Sequence, residues 1–129
     1  MKVLLHLKNE MTMTPLPLRT GWKIMTVTKA NTFVGDAVGT GASAYVSVAM
    51  PGGWQRFEGQ IYFEGTMAGR DGGFVIAATR GRMGERVTAE WEIVPESGTG
   101  ALAGVSGRGA YLAFPPFEEG KCEMEVEFA

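Results

Sequence analysis

The segment KCEMEVEFA, residues 121–129, alternates between apolar and charged side chains from its first residue to Phe128. Successive side chains of a β-strand point to opposite faces, so this period of two predicts a strand with one buried and one solvated face. The apolar face is formed by Cys122, Met124, Val126 and Phe128.

The same alternation recurs upstream. ERVTAEWEIVP, residues 85–95, places Val87, Ala89, Trp91 and Ile93 on one face, and RFEGQIYFEGTM, residues 56–67, does so with Phe57, Ile61, Phe63 and Met67. In ASAYVSVAM, residues 42–50, Ala44, Val46, Val48 and Met50 form the apolar set and alternate with Tyr45, Ser47 and Ala49. Further strands are predicted in residues 2–7, 21–30, 72–81 and 107–114.

Short Gly- and Pro-containing turns separate these segments, for example Pro51-Gly52-Gly53, and short connections join antiparallel neighbours. The sequence therefore predicts an all-β fold of about eight antiparallel strands with minimal helix, either a closed barrel or a two-sheet sandwich. Glycines within strands favour the barrel, because a tightly coiled sheet needs positions without a Cβ. These are Gly59, Gly65, Gly107 and Gly109. A short helical turn is predicted at Ala101–Ala103, closed by Gly104.

The chain of 129 residues corresponds to a single domain, residues 1–129, and its 45% hydrophobic and 20% charged residues are typical of a folded protein. Residues 1–19 are a candidate for a partly flexible N-terminal extension, although VLLHL, residues 3–7, also fits a strand. No secretory or membrane-spanning segment is apparent, so we expect a cytoplasmic protein without a membrane partner.

Composition narrows the function classes. Twelve Lys and Arg against fourteen Asp and Glu give a net charge of −2, which argues against nucleic-acid binding. A single cysteine and a single histidine cannot build a zinc site of the usual composition, so no metal and no cofactor are expected. The run GTGALAG, residues 98–104, lacks the βαβ setting of a phosphate loop and is interpreted as a tight crossover.

Two stretches carry a resemblance. The two stretches are FEGTMAGRDGGFVI, residues 63–76, and WEIVPESGTGALAGVSGRG, residues 91–109. They resemble a bacterial family of small uncharacterised proteins related in fold to allene oxide cyclase. The resemblance implies an allene-oxide-cyclase-like, calycin-like barrel that binds an apolar polyketide- or lipid-like molecule without a cofactor and forms homodimers or homotrimers. The histidine that such proteins often carry after the FV element is missing from residues 74–80, so its role cannot be transferred.

Aromatic residues with a polar tip make good pocket walls, since they offer apolar area and one hydrogen bond. We predict a ligand site formed by Tyr45, Trp91, Tyr111, Met124 and, as a polar anchor, Arg80. If the protein is catalytic, Tyr111 is the predicted catalytic residue, because a protonated phenol can stabilise a developing oxyanion.

Two function classes stay open at this stage. The first is a cofactor-free cyclase or isomerase acting on an apolar small molecule, which would work by enclosing a flexible substrate. The second is a non-catalytic ligand-binding or oligomer-forming barrel. An open cavity would favour a ligand function, and a solid interior would favour a structural one.

Overall fold

A computed structural model describes residues 1–18 and 21–129 of the chain. These residues form strands and connecting turns and contain no helix. The strands are β1 (Lys2–Pro17), β2 (Lys23–Gly35), β3 (Ala37–Ala49), β4 (Gln55–Met67), β5 (Arg70–Met83), β6 (Val87–Ile93), β7 (Thr99–Gly100), β8 (Ser106–Ala113) and β9 (Glu119–Glu127).

The sheet closes on itself into an eight-stranded antiparallel barrel. Its strand order is β1-β2-β3-β4-β5-β6-β8-β9, and the β1–β9 and β4–β5 pairings complete the circle. Closure confirms the predicted all-β barrel over the sandwich. It also pairs the strand edges that an open sheet would leave exposed.

The glycine-rich segment between β6 and β8 interrupts the hairpin succession. Its two-residue strand β7 pairs with Gly72 and Gly73 at the start of β5. A Cβ on Gly72 would overlap the Thr99 carbonyl, so this close approach requires glycine. Residues 101–104 continue as consecutive turns, with Leu102 N–H donating to the Thr99 carbonyl (3.0 Å). The short turn expected here is present as consecutive turns with i→i+3 hydrogen bonds rather than as a helix, and it ends at Gly104, whose φ is +80°.

One end of the barrel, the packed half, is filled by apolar side chains. Phe63 contacts Phe33 edge-on at 4.9 Å between ring centroids and Phe74 at 5.1 Å. The inward faces of β4, β6 and β9 are those that the alternation predicted. The fully buried large residues here include Phe33, Phe63, Phe74, Leu5, Ile61, Met67, Ile76, Ile93 and Leu102.

Strand β3 departs from its predicted orientation. Apart from Ala37 at its start, its buried residues are Ser43, Tyr45 and Ser47, whereas Val46 is 57% exposed on the outside. The Tyr45 ring lies over Gly59, its partner on β4, where a Cβ would collide with the ring. The large ring fits inside the barrel because Gly59 leaves room for it, and the valines consequently face solvent.

Residues 2–17, part of the stretch considered as an extension, form the longest strand, while Arg19 and Thr20 lie outside the described residues. Lys2–Lys8 pairs with β9, and within it Leu5–Lys8 pairs on the other side with β2 as well. Beyond Asn9, whose N–H donates to the Glu118 carbonyl (2.9 Å), β1 pairs with β2 alone. Among the described strands, one edge of β1 is therefore left without a partner next to the β8–β9 connection.

Candidate functional site

A cavity of about 270 Å³ occupies the end of the barrel opposite the packed half. It lies where β3 and β5 end and β4 and β6 begin. Its apolar wall consists of Met11, Met13, Val27, Phe57, Met83, Val87, Pro116 and Phe117. Methionines and aromatic rings adapt well to the shape of an apolar guest. We call this part of the barrel the open half.

Four polar side chains also line the cavity: Lys29, Tyr45, Ser47 and Gln55. The Ser47 hydroxyl donates to Gln55 Oε1 (2.9 Å). Tyr45 packs edge-on against Phe57, with 5.5 Å between ring centroids. Lys29, Tyr45 and the amide N–H groups of Gln55 therefore remain to donate hydrogen bonds to a guest.

Among the described residues, Lys29 is the one cationic group of the cavity wall. Its Nζ lies 5.2 Å from the centroid of the Tyr45 ring, a cation–π contact. No Asp or Glu lines the cavity, and no carboxylate of the described residues lies in ion-pair range of Lys29. Burial therefore lowers the pKa of Lys29, because a cation without a counter-ion is disfavoured away from water.

A hydrogen-bonded row of side chains crosses the barrel next to the cavity. The Ser43 hydroxyl donates to Asn31 Oδ1 (2.9 Å), and Asn31 Nδ2 donates to Asn9 Oδ1 (2.6 Å). Asn9 Nδ2 is buried and has no hydrogen-bond partner among the described residues. We call Asn9, Asn31 and Ser43, together with the neighbouring Tyr111, the polar belt.

Tyr45 and Tyr111 lie on β3 and β8, which are four strands apart around the barrel in either direction. Burial raises the pKa of both phenols, and the Tyr111 phenol raises that of Tyr45 further. The Asn9 side chain partly opposes the rise at Tyr111. Both hydroxyls are therefore protonated at neutral pH and can donate hydrogen bonds. Burial also raises the pKa of the Cys122 thiol, to about 12, so this cysteine is not a ready nucleophile.

Of the five predicted ligand-site residues, Tyr45 is the one on the cavity wall. Trp91 and Tyr111 are inside the barrel, 3% and 7% exposed, and their rings stack at 4.8 Å between centroids. Met124 is buried beside Gly109. These three side chains lie on one inner wall, outside the cavity lining, and their contact with a ligand stays a prediction.

Arg80 does not join them. Its side chain is 80% exposed, and Nε lies 3.2 Å from a Glu90 carboxylate oxygen. The register shifts between Thr79 and Arg82, and Arg80 itself has φ +52°. This irregularity turns the guanidinium to the outside, which corrects the expectation of an anchor at the barrel mouth.

Comparison with known families adds an identification at this point. Residues 8–128 match the family described as protein of unknown function (DUF3224). The chain belongs to the DUF3224 family. A crystal structure of a DUF3224 protein with unknown function from Shewanella oneidensis MR-1 is similar over 100% of this chain and 98% of that one, with 24% identity and a TM-score of 0.77. This likeness supports the barrel fold. A search of curated proteins returned no match.

Sequence reasoning missed the polar groups of this DUF3224 interior, chiefly Lys29, Asn31 and Asn9. A signal for them exists in KIMTVTKANTFVG, residues 23–35. Met25, Val27 and Phe33 share the inward face of β2 with Lys29 and Asn31. Two polar residues in the middle of a buried apolar face need partners, and such positions often belong to a site.

The described residues contain no cluster of three or more His, Cys, Asp or Glu side chains suited to holding a metal ion. Nor do they include a helix with the length and apolar character needed to cross a membrane.

Proposed function

We propose that this DUF3224 protein binds a small, largely apolar molecule in the cavity of the open half. The observation that carries the proposal is the cavity itself, in which an apolar wall surrounds a few polar groups. Ligand sites typically combine these two features. An apolar cavity of roughly 150 Å³ can hold benzene, so about 270 Å³ suits a guest of one to two rings or a comparable chain.

The polar groups set the orientation of such a guest. Lys29 and Tyr45 offer donors within the cavity. Asn9, with its unpartnered Nδ2, lines a surface groove that shares Met11, Pro116 and Phe117 with the cavity. A buried donor without a partner costs about 1–3 kcal/mol. A ligand oxygen or a water molecule beside Asn9 Nδ2 would remove that cost.

The test uses the fluorescence of N,N-dimethyl-1-naphthylamine, a neutral apolar dye with two rings. Val87→Phe fills part of the cavity and should weaken dye binding at least tenfold. Val46→Phe adds the same ring to the outer face of β3 and should leave binding unchanged. Equal affinity of Val87→Phe and the parent protein would refute the proposal.

A cofactor-free cyclase or isomerase is the finer form of this proposal, and it follows the resemblance to allene-oxide-cyclase-like barrels. Its support is the pair of protonated phenols, Tyr45 at the cavity and Tyr111 at the polar belt. Tyr111 would donate to a developing oxyanion, so Tyr111→Phe should lower turnover by about a hundredfold while dye binding persists. A non-catalytic binding module would instead hold its ligand unchanged.

Self-association completes the proposal. Residues 10–17 of β1 pair only with β2, which leaves one strand edge for a second copy of the chain in a homodimer or homotrimer. Leu16 is exposed on this segment and lies outside the cavity. Light scattering should show the parent as an oligomer and Leu16→Lys as a monomer, whereas a monomeric parent would end this part of the proposal.

A further inference from the structure

Lys29 differs in position from the other lysines of the chain. Its side chain is half-buried on the inner face of β2, between Val27 and Asn31, and reaches the cavity. Lys2, Lys8, Lys23 and Lys121 are all exposed. Lysines rarely face a barrel interior, because the ammonium group loses its hydration there.

Within residues 1–18 and 21–129, no carboxylate forms an ion pair with Lys29. Its register partners on the two neighbouring strands are Met11 of β1 and Ser43 of β3. The other titratable side chain of the cavity wall is Tyr45, whose phenol is neutral, and the remaining wall is apolar apart from Ser47 and Gln55. The low polarity favours the neutral amine, as the lowered pKa of Lys29 reflects. A neutral amine carries the lone pair that a nucleophile needs.

We propose that Lys29 forms an imine with an apolar aldehyde or ketone bound in the cavity. The proposal deepens the proposed function, since it names the ligand class of the same site. The nitrogen lone pair attacks the carbonyl carbon to give a carbinolamine. Both protons of the amine then leave with the carbonyl oxygen as one water molecule, and a C=N bond remains. The step is neither an oxidation nor a reduction and needs no co-reactant.

The surroundings of Lys29 fit this ligand class. The amine sits beside the Tyr45 ring, while Phe57, Met83 and Val87 offer apolar contacts to the rest of the guest. A carbonyl at one end of an apolar molecule would thus meet the amine when the apolar part lies against this wall. Holding the two groups together raises their effective concentration. A carboxylate guest would pair with the ammonium instead and yield no covalent product, which the experiment distinguishes.

The experiment treats the full chain with 2-naphthaldehyde and sodium cyanoborohydride at neutral pH, so that an imine is reduced to a stable amine. Intact-mass and peptide analysis should show one naphthylmethyl group, on Lys29, formed at least tenfold faster than on Lys23. Lys23→Met removes an exposed lysine of the same strand and should label like the parent. Lys29→Met should lose the fast labelling.

Lys29→Arg retains the positive charge but cannot form the imine, so it should bind the naphthylamine dye and fail to label. Equal labelling of all lysines would overturn the proposal, as would 2-naphthoate binding through Lys29 while the aldehyde gives no adduct. Displacement of the dye by 2-methylnaphthalene, which has no carbonyl, tests the cavity alone. If the hydrocarbon displaces the dye and the aldehyde does not label, the imine is refuted and the proposed function stands.

Discussion

The packed half and the open half of the barrel are built from the same strands, yet their interiors differ in kind. On β2, Phe33 lies in the packed half and contacts Phe63, whereas Lys29, four residues earlier, lies at the cavity. Asn31 stands between them in the polar belt. One continuous strand therefore passes from a close-packed apolar core, through a hydrogen-bonded layer, to a cavity.

This division separates stability from binding. Close-packed apolar side chains supply most of the free energy of folding, because each removes apolar surface from water. A cavity with a desolvated lysine, next to a polar belt that contains an unpartnered amide, contributes little and costs some stability. Functional sites commonly show this trade-off. Substitutions in the two halves should consequently change the free energy of unfolding by different amounts and, at Lys29, in the opposite direction.

The largest effect is expected in the packed half. Phe63→Ala removes a fully buried ring that contacts both Phe33 and Phe74, and should lower the free energy of unfolding by about 3–5 kcal/mol. Met13→Ala, on the exposed rim of the cavity, should cost less than about 1 kcal/mol. Urea denaturation measures both, and similar costs would contradict the division into halves.

A smaller effect is expected where the polar belt meets β9. Gly120 is buried, and a Cβ at this position would overlap the Tyr111 hydroxyl. Gly120→Ala must displace a large ring that is stacked on Trp91, and should cost about 1–3 kcal/mol. Gly52→Ala is the matched control, since a Cβ there meets no atom. If both variants unfold at the same urea concentration as the parent, Tyr111 is not confined as described.

At Lys29, in the cavity, a substitution is expected to raise the free energy of unfolding instead of lowering it. Lys29→Met replaces a desolvated cation by an apolar side chain of similar length and should stabilise the protein by about 1 kcal/mol, or about 4 °C in Tm. Because the pKa of Lys29 is lower in the folded than in the unfolded chain, where it lies near 10.5, the parent bears this penalty in full only below the lowered value.

The gain should accordingly shrink as pH rises through the window between the lowered pKa and about 10.5, since above it the amine is neutral in both states. Calorimetric melting curves of the parent and Lys29→Met at a series of pH values test this. Tyr45 stays neutral over the same range, because its pKa is raised. A Lys29→Met variant that is less stable than the parent at neutral pH would contradict the assignment of Lys29 as an unpaired buried cation.

The division also explains which predictions from the sequence succeeded. Strands β4, β6 and β9 were predicted with the correct inward faces because most of their inward side chains are apolar, as in Cys122, Met124 and Val126 of β9. In such strands the period of two and the direction of burial coincide. The barrel fold follows from these strands and from the glycines that allow the sheet to coil.

The open half could not be predicted in the same way. On β3 the inward face carries Ser43, Tyr45 and Ser47, so hydrophobicity points to the wrong side. At Arg80 a bulge breaks the alternation, and sequence alone gives no position for it. The contact of Lys29 with Tyr45 joins side chains of two strands and depends on their register. A binding interior breaks the pattern by which a core is recognised.

Strand β3 offers the smallest expected effect and a direct test of this explanation. Val46 lies on the outer face of the barrel, between Thr26 of β2 and Glu58 of β4. A lysine at this position would remain in water and stand opposite the Glu58 carboxylate, and such cross-strand pairs of opposite charge contribute roughly 0.2–1 kcal/mol. Val46→Lys should therefore change the free energy of unfolding by no more than about 0.5 kcal/mol, since the pair offsets the lost β-propensity of valine.

Val27→Lys, on the buried face of the neighbouring strand and opposite Tyr45, should cost several times more, because it brings a second cation into the cavity beside Lys29. Urea denaturation of the two variants decides which face of β3 is inside: a Val46→Lys variant as unstable as Val27→Lys would place the valines in the interior and remove Tyr45 from the cavity.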